Sequence, residues 1–172
     1  MDGSRVQSLN KTLQVPQLHT AENLVLVSFR LWAHAHASDN MQPVPDWQLG
    51  FRAAGLPPCT EGLFDQLLHG IFSGSRHILQ IQHLGCVGIS PDELTFLQVA
   101  SLHQNQQPTQ AEFLLHQWLM PTVARVCSAM VLGLCQRLES RGYYLPLRPE
   151  AEPALSPVQR QAEIHSLTTT VH

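Results

Sequence analysis

The chain has 172 residues, a formal net charge of −3 with histidines neutral, and 44% hydrophobic residues, enough for one domain and too few for two of ordinary size. Only 13% of residues are charged, about half the usual share; the polar complement is 17 glutamines and 10 histidines, with one lysine, Lys11, against nine arginines. This composition excludes a collagen, a disulfide scaffold and a strongly charged disordered chain, and it argues against a long phosphate-binding surface, which needs clustered Lys and Arg.

Residues 1–17 show no periodicity and read as a mobile N-terminal leader without a signal-peptide pattern. Thr20 then offers an N-cap. Leu24, Val27, Leu31 and His34, broadened by Val25, Phe29 and Trp32, set an apolar stripe that predicts a helix from about 21 to 37. A short helix follows from Asp46 to about Ala54, ended by Gly55 and by Pro57-Pro58, which forbid its continuation. Thr60 is expected to cap a third helix through about Ser73, with Leu63, Phe64, Leu67, Leu68 and Ile71 on its apolar face.

From Arg76 to Leu84 isoleucines and glutamines alternate loosely, which reads as a short strand or extended segment. A lone strand must satisfy its backbone groups against a second copy, a partner chain or the irregular termini. Ser90-Pro91-Asp92-Glu93 is the strongest local signal. Ser at the N-cap, Pro at N1 and Glu at N3 combine a capping box with dipole complementarity, and predict a helix from Pro91 to about His103. Asn105-Gln106-Gln107-Pro108 breaks it. A fifth helix runs from Thr109 to Met120 on Ala111, Leu114, Leu115 and Trp118. A sixth starts at Pro121 and ends near Gly142, with Val123, Cys127, Met130, Val131, Leu134 and Leu138 facing inward. From Pro149 the composition turns to Pro, Glu, Ala, Ser, Gln and Thr, so 149–172 is expected to be a disordered tail. The fold expected is all-α: one domain over 18–148 of six helices, with an extended segment near 76–84.

Histidine and cysteine are the places to look for chemistry. His34 and His36 stand two apart, so on a helix their side chains diverge by about 200° and cannot chelate together. Zinc would call for histidines one turn apart or a close cysteine pair. His83 and Cys86 have a turn-like spacing for two ligands, with His77 upstream and His69 or His103 as further donors. Cys86 also lies just before a helix start, where a thiolate is favoured, and His83 is the base it would use; no nucleophile elbow surrounds it. Cys127 and Cys135 lie on or beside an apolar face and read as core. Asp92 and Glu93 are explained by capping, and no phosphate loop with its lysine occurs.

The helix pair around Pro108 has a helix-loop-helix outline. Its second helix carries no Arg or Lys, and only Gln110 and Gln117 suit base edges, so nucleic acid is not the expected partner. A surface poor in charge favours contact with another protein or with a second copy. Trp32, Trp47, Phe51 and Trp118 are the candidate interface anchors, their other role being core. The expectation is a non-enzymatic helical binding or regulatory protein without a cofactor, in the cytoplasm and not in a membrane, with a bacterial cast to its composition. The alternative is a metal- or redox-responsive protein using His77, His83 and Cys86.

Overall fold

A computed structural model of the chain describes residues 13–37 and 45–148. The leader before Leu13 and the tail from Pro149 lie outside the described residues. Among the described residues the chain forms six α-helices: α1 (Thr20–His36), α2 (Gln48–Ala53), α3 (Cys59–Gly74), α4 (Pro91–Gln104), α5 (Pro108–Trp118) and α6 (Pro121–Glu139). The architecture is the all-α one read from the hydrophobic periodicity. Differences at helix starts have local causes. Thr20 and Thr60 are helical rather than caps. Glu22 Oε2 accepts the His19 N–H at 2.8 Å, so the helix starts one residue earlier. At α3 the Thr60 N–H bonds to Pro57 O at 2.8 Å, and the helix winds directly out of Pro57-Pro58. Asp46 precedes α2 and caps it through a 2.9 Å bond from the Gln48 N–H to Oδ1.

The stops follow the backbone's steric limits. Gly55 and Gly142 adopt φ of +67° and +77°, a region that side chains disfavour, and each redirects the chain after a helix. Gln106 adopts φ +59° between α4 and α5 without being glycine. Two backbone bonds hold that turn, Gln106 N–H to His103 O and Gln107 N–H to Leu102 O.

The core is built around Phe29 of α1, Phe64 and Leu67 of α3, Phe96 and Val99 of α4, and Val131 and Leu134 of α6, all buried. Helices α3 and α6 pack tightly at Gly74, where an added Cβ would lie 2.5 Å from Val123 Cγ1. Small size is required at that crossing.

The segment after α3 forms no strand. Its polar backbone is satisfied instead by the first turn of α4 and by the end of α5. Asp92 Oδ2 accepts the Gln80 N–H at 2.7 Å, Glu93 Oε1 accepts the Gln82 N–H at 3.0 Å, and the Ser90 hydroxyl donates to Gln80 O. The Arg76 N–H bonds to Trp118 O at 3.1 Å. The N-terminal stretch joins at Gly88, through an isolated antiparallel bridge from Gln14 and a 2.9 Å bond from the Val15 N–H to Val87 O.

Residues 143–148 are strapped along α4 and α1 by side chains. Gln104 accepts from Leu145 N–H at 2.7 Å and donates to Tyr143 O at 3.0 Å. Ser101 donates to Pro146 O at 2.7 Å, and Arg148 closes the strap with two 2.7 Å bonds to the buried Glu22. Glutamine and serine here replace a sheet ladder in satisfying irregular backbone.

Candidate functional site

Two places on the molecule carry unused chemistry: a groove bordered by Gln110 and Gln117, and a cluster that joins His36 and His69 to Asp65, an acid the sequence patterns did not single out. The first is a groove of about 890 Å³ between α4, α5 and Pro146–Arg148. One face of α4, with Leu94, Gln98 and Leu102, forms one wall, and Gln110, Phe113 and Gln117 of α5 form the other. These positions recur at helical spacing, so each wall is a single stripe. Phe113 remains 63% exposed, an unusual state for a ring of that size. The strap described above supplies the third side, with Leu147 also exposed. Glu22 and Arg148 are the charged residues in the lining, and they neutralise each other. Gln110 and Gln117, the side chains suited to base edges, therefore border a groove whose one cation, Arg148, is already paired with Glu22 rather than available to a phosphate.

The second place lies where the end of α1 meets the middle of α3. Asp65 and His69 stand one turn apart on α3, and His36 is the last residue of α1. Asp65 Oδ1 lies 3.9 Å from His36 Nε2 and 3.7 Å from His69 Nε2. The three ligand atoms all fall within 4.8 Å of one another. The same carboxylate oxygen accepts the indole N–H of Trp32 at 2.8 Å. The Trp32 backbone carbonyl in turn lies 2.8 Å from His36 Nδ1. Trp32 also stacks on the His36 ring at 4.1 Å and meets the His69 ring edge-on at 4.9 Å. The cluster is open: the side chains of His36, Asp65 and His69 are 39%, 37% and 60% exposed.

The predicted set of His77, His83 and Cys86 does not come together; the group above is what the described residues offer a metal ion. His77 Nε2 is engaged by Asp92 Oδ1 at 2.8 Å. Cys86 contributes its backbone, its N–H bonding to His83 O at 3.0 Å and its carbonyl accepting from Arg30 at 2.7 Å, while the His83 side chain faces solvent. Trp32, Trp47, Phe51 and Trp118 are all buried within the single chain. Trp47, Phe51 and Phe64 pack ring on ring at 4.9–6.3 Å, and the Trp118 indole donates to Asp92 at 2.8 Å. These rings build the core of one protomer rather than a surface for a second.

Burial also decides the remaining candidates. It pushes the thiols of Cys127 and Cys135 up to about 11 and about 12, which leaves them protonated and unreactive. It lowers the pKa of His103, against the opposing pull of Glu112, and His103 Nε2 sits 3.3 Å from the Ser128 hydroxyl. Among the described residues no helix is long and apolar enough to cross a membrane. No known protein family matches the chain, and neither a curated protein nor a solved structure shows a similarity to it.

Proposed function

We propose that the chain is a non-enzymatic binding module that takes an uncharged amphipathic segment of a partner protein into the groove between α4, α5 and Pro146–Arg148. The exposed ring of Phe113, in a groove lined by leucines and glutamines, is the observation that carries this reading. Aromatic side chains left in water on a concave surface are frequent anchors of an interface. The groove also selects by charge. Its acid and its base are already paired, so an incoming Lys or Glu would lose hydration against amides that cannot replace it. Neutral amide and hydroxyl groups around Phe113 suit a segment that alternates apolar residues with Gln, Ser or Thr. Four thiols without a disulfide support placing the protein in a reducing compartment such as the cytoplasm.

Selection of displayed peptides on the full-length chain, with Phe113→Glu as counter-target, tests the proposal. The expected outcome is a family of peptides with apolar anchors and no net charge, whose affinity falls at least about tenfold on Phe113→Glu, the scale of one interface anchor. Peptides dominated by Lys, Arg, Asp or Glu, or peptides indifferent to Phe113→Glu, would overturn it. Failure of any peptide to enrich on the wild-type chain would also count against it.

A further inference from the structure

We infer that His36, Asp65 and His69 bind one divalent transition-metal ion of the zinc class, with a fourth position open to solvent. The inference rests on residues other than those of the groove.

The proton inventory comes first. A backbone carbonyl can only accept, so His36 Nδ1 carries the proton in its 2.8 Å contact with Trp32 O. In the neutral ring that leaves a lone pair on Nε2, which lies 3.9 Å from Asp65 Oδ1. His69 Nε2 approaches the same oxygen to 3.7 Å. Neither separation is a hydrogen bond. Three atoms that can each ligate a metal thus lie within 4.8 Å of one another, close enough for one cation between them to engage all three.

The spacing suits a metal. Bonds of about 2.0–2.2 Å set tetrahedral ligand atoms roughly 3.3–3.6 Å apart, a few tenths of an ångström below the carboxylate–imidazole distances observed. Half-exposed side chains close such a gap by small rotations. Two imidazoles with one carboxylate favour zinc, cobalt, nickel or copper over magnesium or calcium, which prefer oxygen ligands.

The surroundings are the second, independent observation. Ligating histidines characteristically donate their other N–H to a carbonyl or carboxylate, and ligating carboxylates are themselves held by a donor. Trp32 supplies both functions from one buried residue, its carbonyl orienting His36 and its indole N–H orienting Asp65. Packing of the Trp32 ring against both imidazoles limits their rotation. A cluster made only for surface charge has no need of this arrangement.

Equilibrium dialysis of the full-length, metal-stripped chain against Zn²⁺ tests the site. Wild type is expected to retain one tightly held equivalent. His36→Gln and His69→Gln each weaken retention at least about tenfold, a loss on the scale reported even for groups behind the ligands. His83→Gln and Cys86→Ser leave it unchanged. Because Trp32 stacks on His36, Co²⁺ should quench tryptophan emission at one equivalent, and His36→Gln should abolish that quenching. Both histidines are at the surface, and circular dichroism confirms that the variants fold. Zinc held equally by the His36 and His69 variants, zinc lost on His83→Gln or Cys86→Ser, or no stoichiometric binding by wild type would each overturn the assignment. In the last case a proton alone is the cation of the cluster.

Discussion

Glu93 at the base of the 76–90 loop and Asp65 on α3 are both helical carboxylates facing a cationic or histidine side chain, yet they are in opposite states. Arg30 and Glu93 form a two-bond ion pair at 2.7 and 2.9 Å with side chains 3% and 0% exposed. Both make further bonds. Glu93 also accepts the Gln82 and Ser90 N–H groups, and Arg30 also donates to the Cys86 and Gly88 carbonyls at 2.7 and 2.6 Å. Asp92 beside it accepts from Trp118, His77 and Gln80. Asp65, in contrast, takes the Trp32 indole N–H and faces two imidazoles beyond hydrogen-bond range. A buried acid with every lone pair occupied stabilises a fold, while an oriented, half-exposed acid with vacant lone pairs is available to a ligand. Saturation of the partner shell, more than the residue type, separates structure from chemistry here.

The largest effect should come from breaking the saturated side. Glu93→Gln keeps the volume but strands the Arg30 guanidinium in the interior and turns an amide donor toward other donors. Removing one partner of a buried pair costs about 3–5 kcal/mol, a large part of the roughly 5–15 kcal/mol that holds a domain together. Urea unfolding should show a free energy of unfolding lowered by that amount, with an earlier midpoint, and amides of the 76–90 loop should exchange faster. A cost below about 1 kcal/mol would mean that the pair carries nothing beyond a surface bridge.

Asp92→Asn should cost less, about 1–3 kcal/mol, the scale of one buried hydrogen bond left unmade. The substituted side chain keeps an oxygen for the Trp118 indole, and no buried cation depends on it. What it loses is the second acceptor that holds the Gln80 N–H at 2.7 Å. Hydrogen exchange should therefore quicken at Gln80 ahead of Gln82, whose N–H belongs to Glu93. Equal acceleration at both would show that the two acids act as one unit.

The same contrast explains which parts of the molecule were legible in the sequence. Helix starts and stops are local chemistry, so Pro91, Pro121, Gly55 and Gly142 could be read from neighbours alone. The capping role of Glu93 was readable for that reason. Its pairing with Arg30, 63 positions away, was not, because no local spacing records which distant cation a fold brings near. The 76–84 alternation suggested a strand, since isoleucine and glutamine at alternate positions resemble a half-buried ladder. Side-chain carboxylates took the place of that ladder. For the metal cluster the overlooked sign was the one-turn interval between Asp65 and His69. A search for paired histidines or close cysteines passes over an acid–histidine pair. The third donor, His36, reaches the site through the meeting of α1 and α3, which no periodicity in either helix specifies. The aromatic residues were ambiguous for a related reason: composition cannot tell an interface anchor from a ring packed on other rings.

Asp65 provides the smallest effect and the sharpest test of the contrast. Asp65→Asn preserves an oxygen for the Trp32 indole and removes only the charge of a half-exposed carboxylate beside two imidazoles, a contact worth about 0–1 kcal/mol after solvent screening. In metal-free buffer the thermal midpoint of the full chain should move by no more than a few degrees, about 2–8 °C per kcal/mol for domains of this range of sizes. Adding Zn²⁺ should then separate the two proteins. A ligand at a hundredfold excess over its dissociation constant stabilises the form that binds it by about 2.7 kcal/mol. That gain should appear in wild type and be largely lost in Asp65→Asn, whose neutral amide is a far poorer zinc ligand. A large metal-free loss would instead place Asp65 with Glu93, as an acid spent on holding the fold.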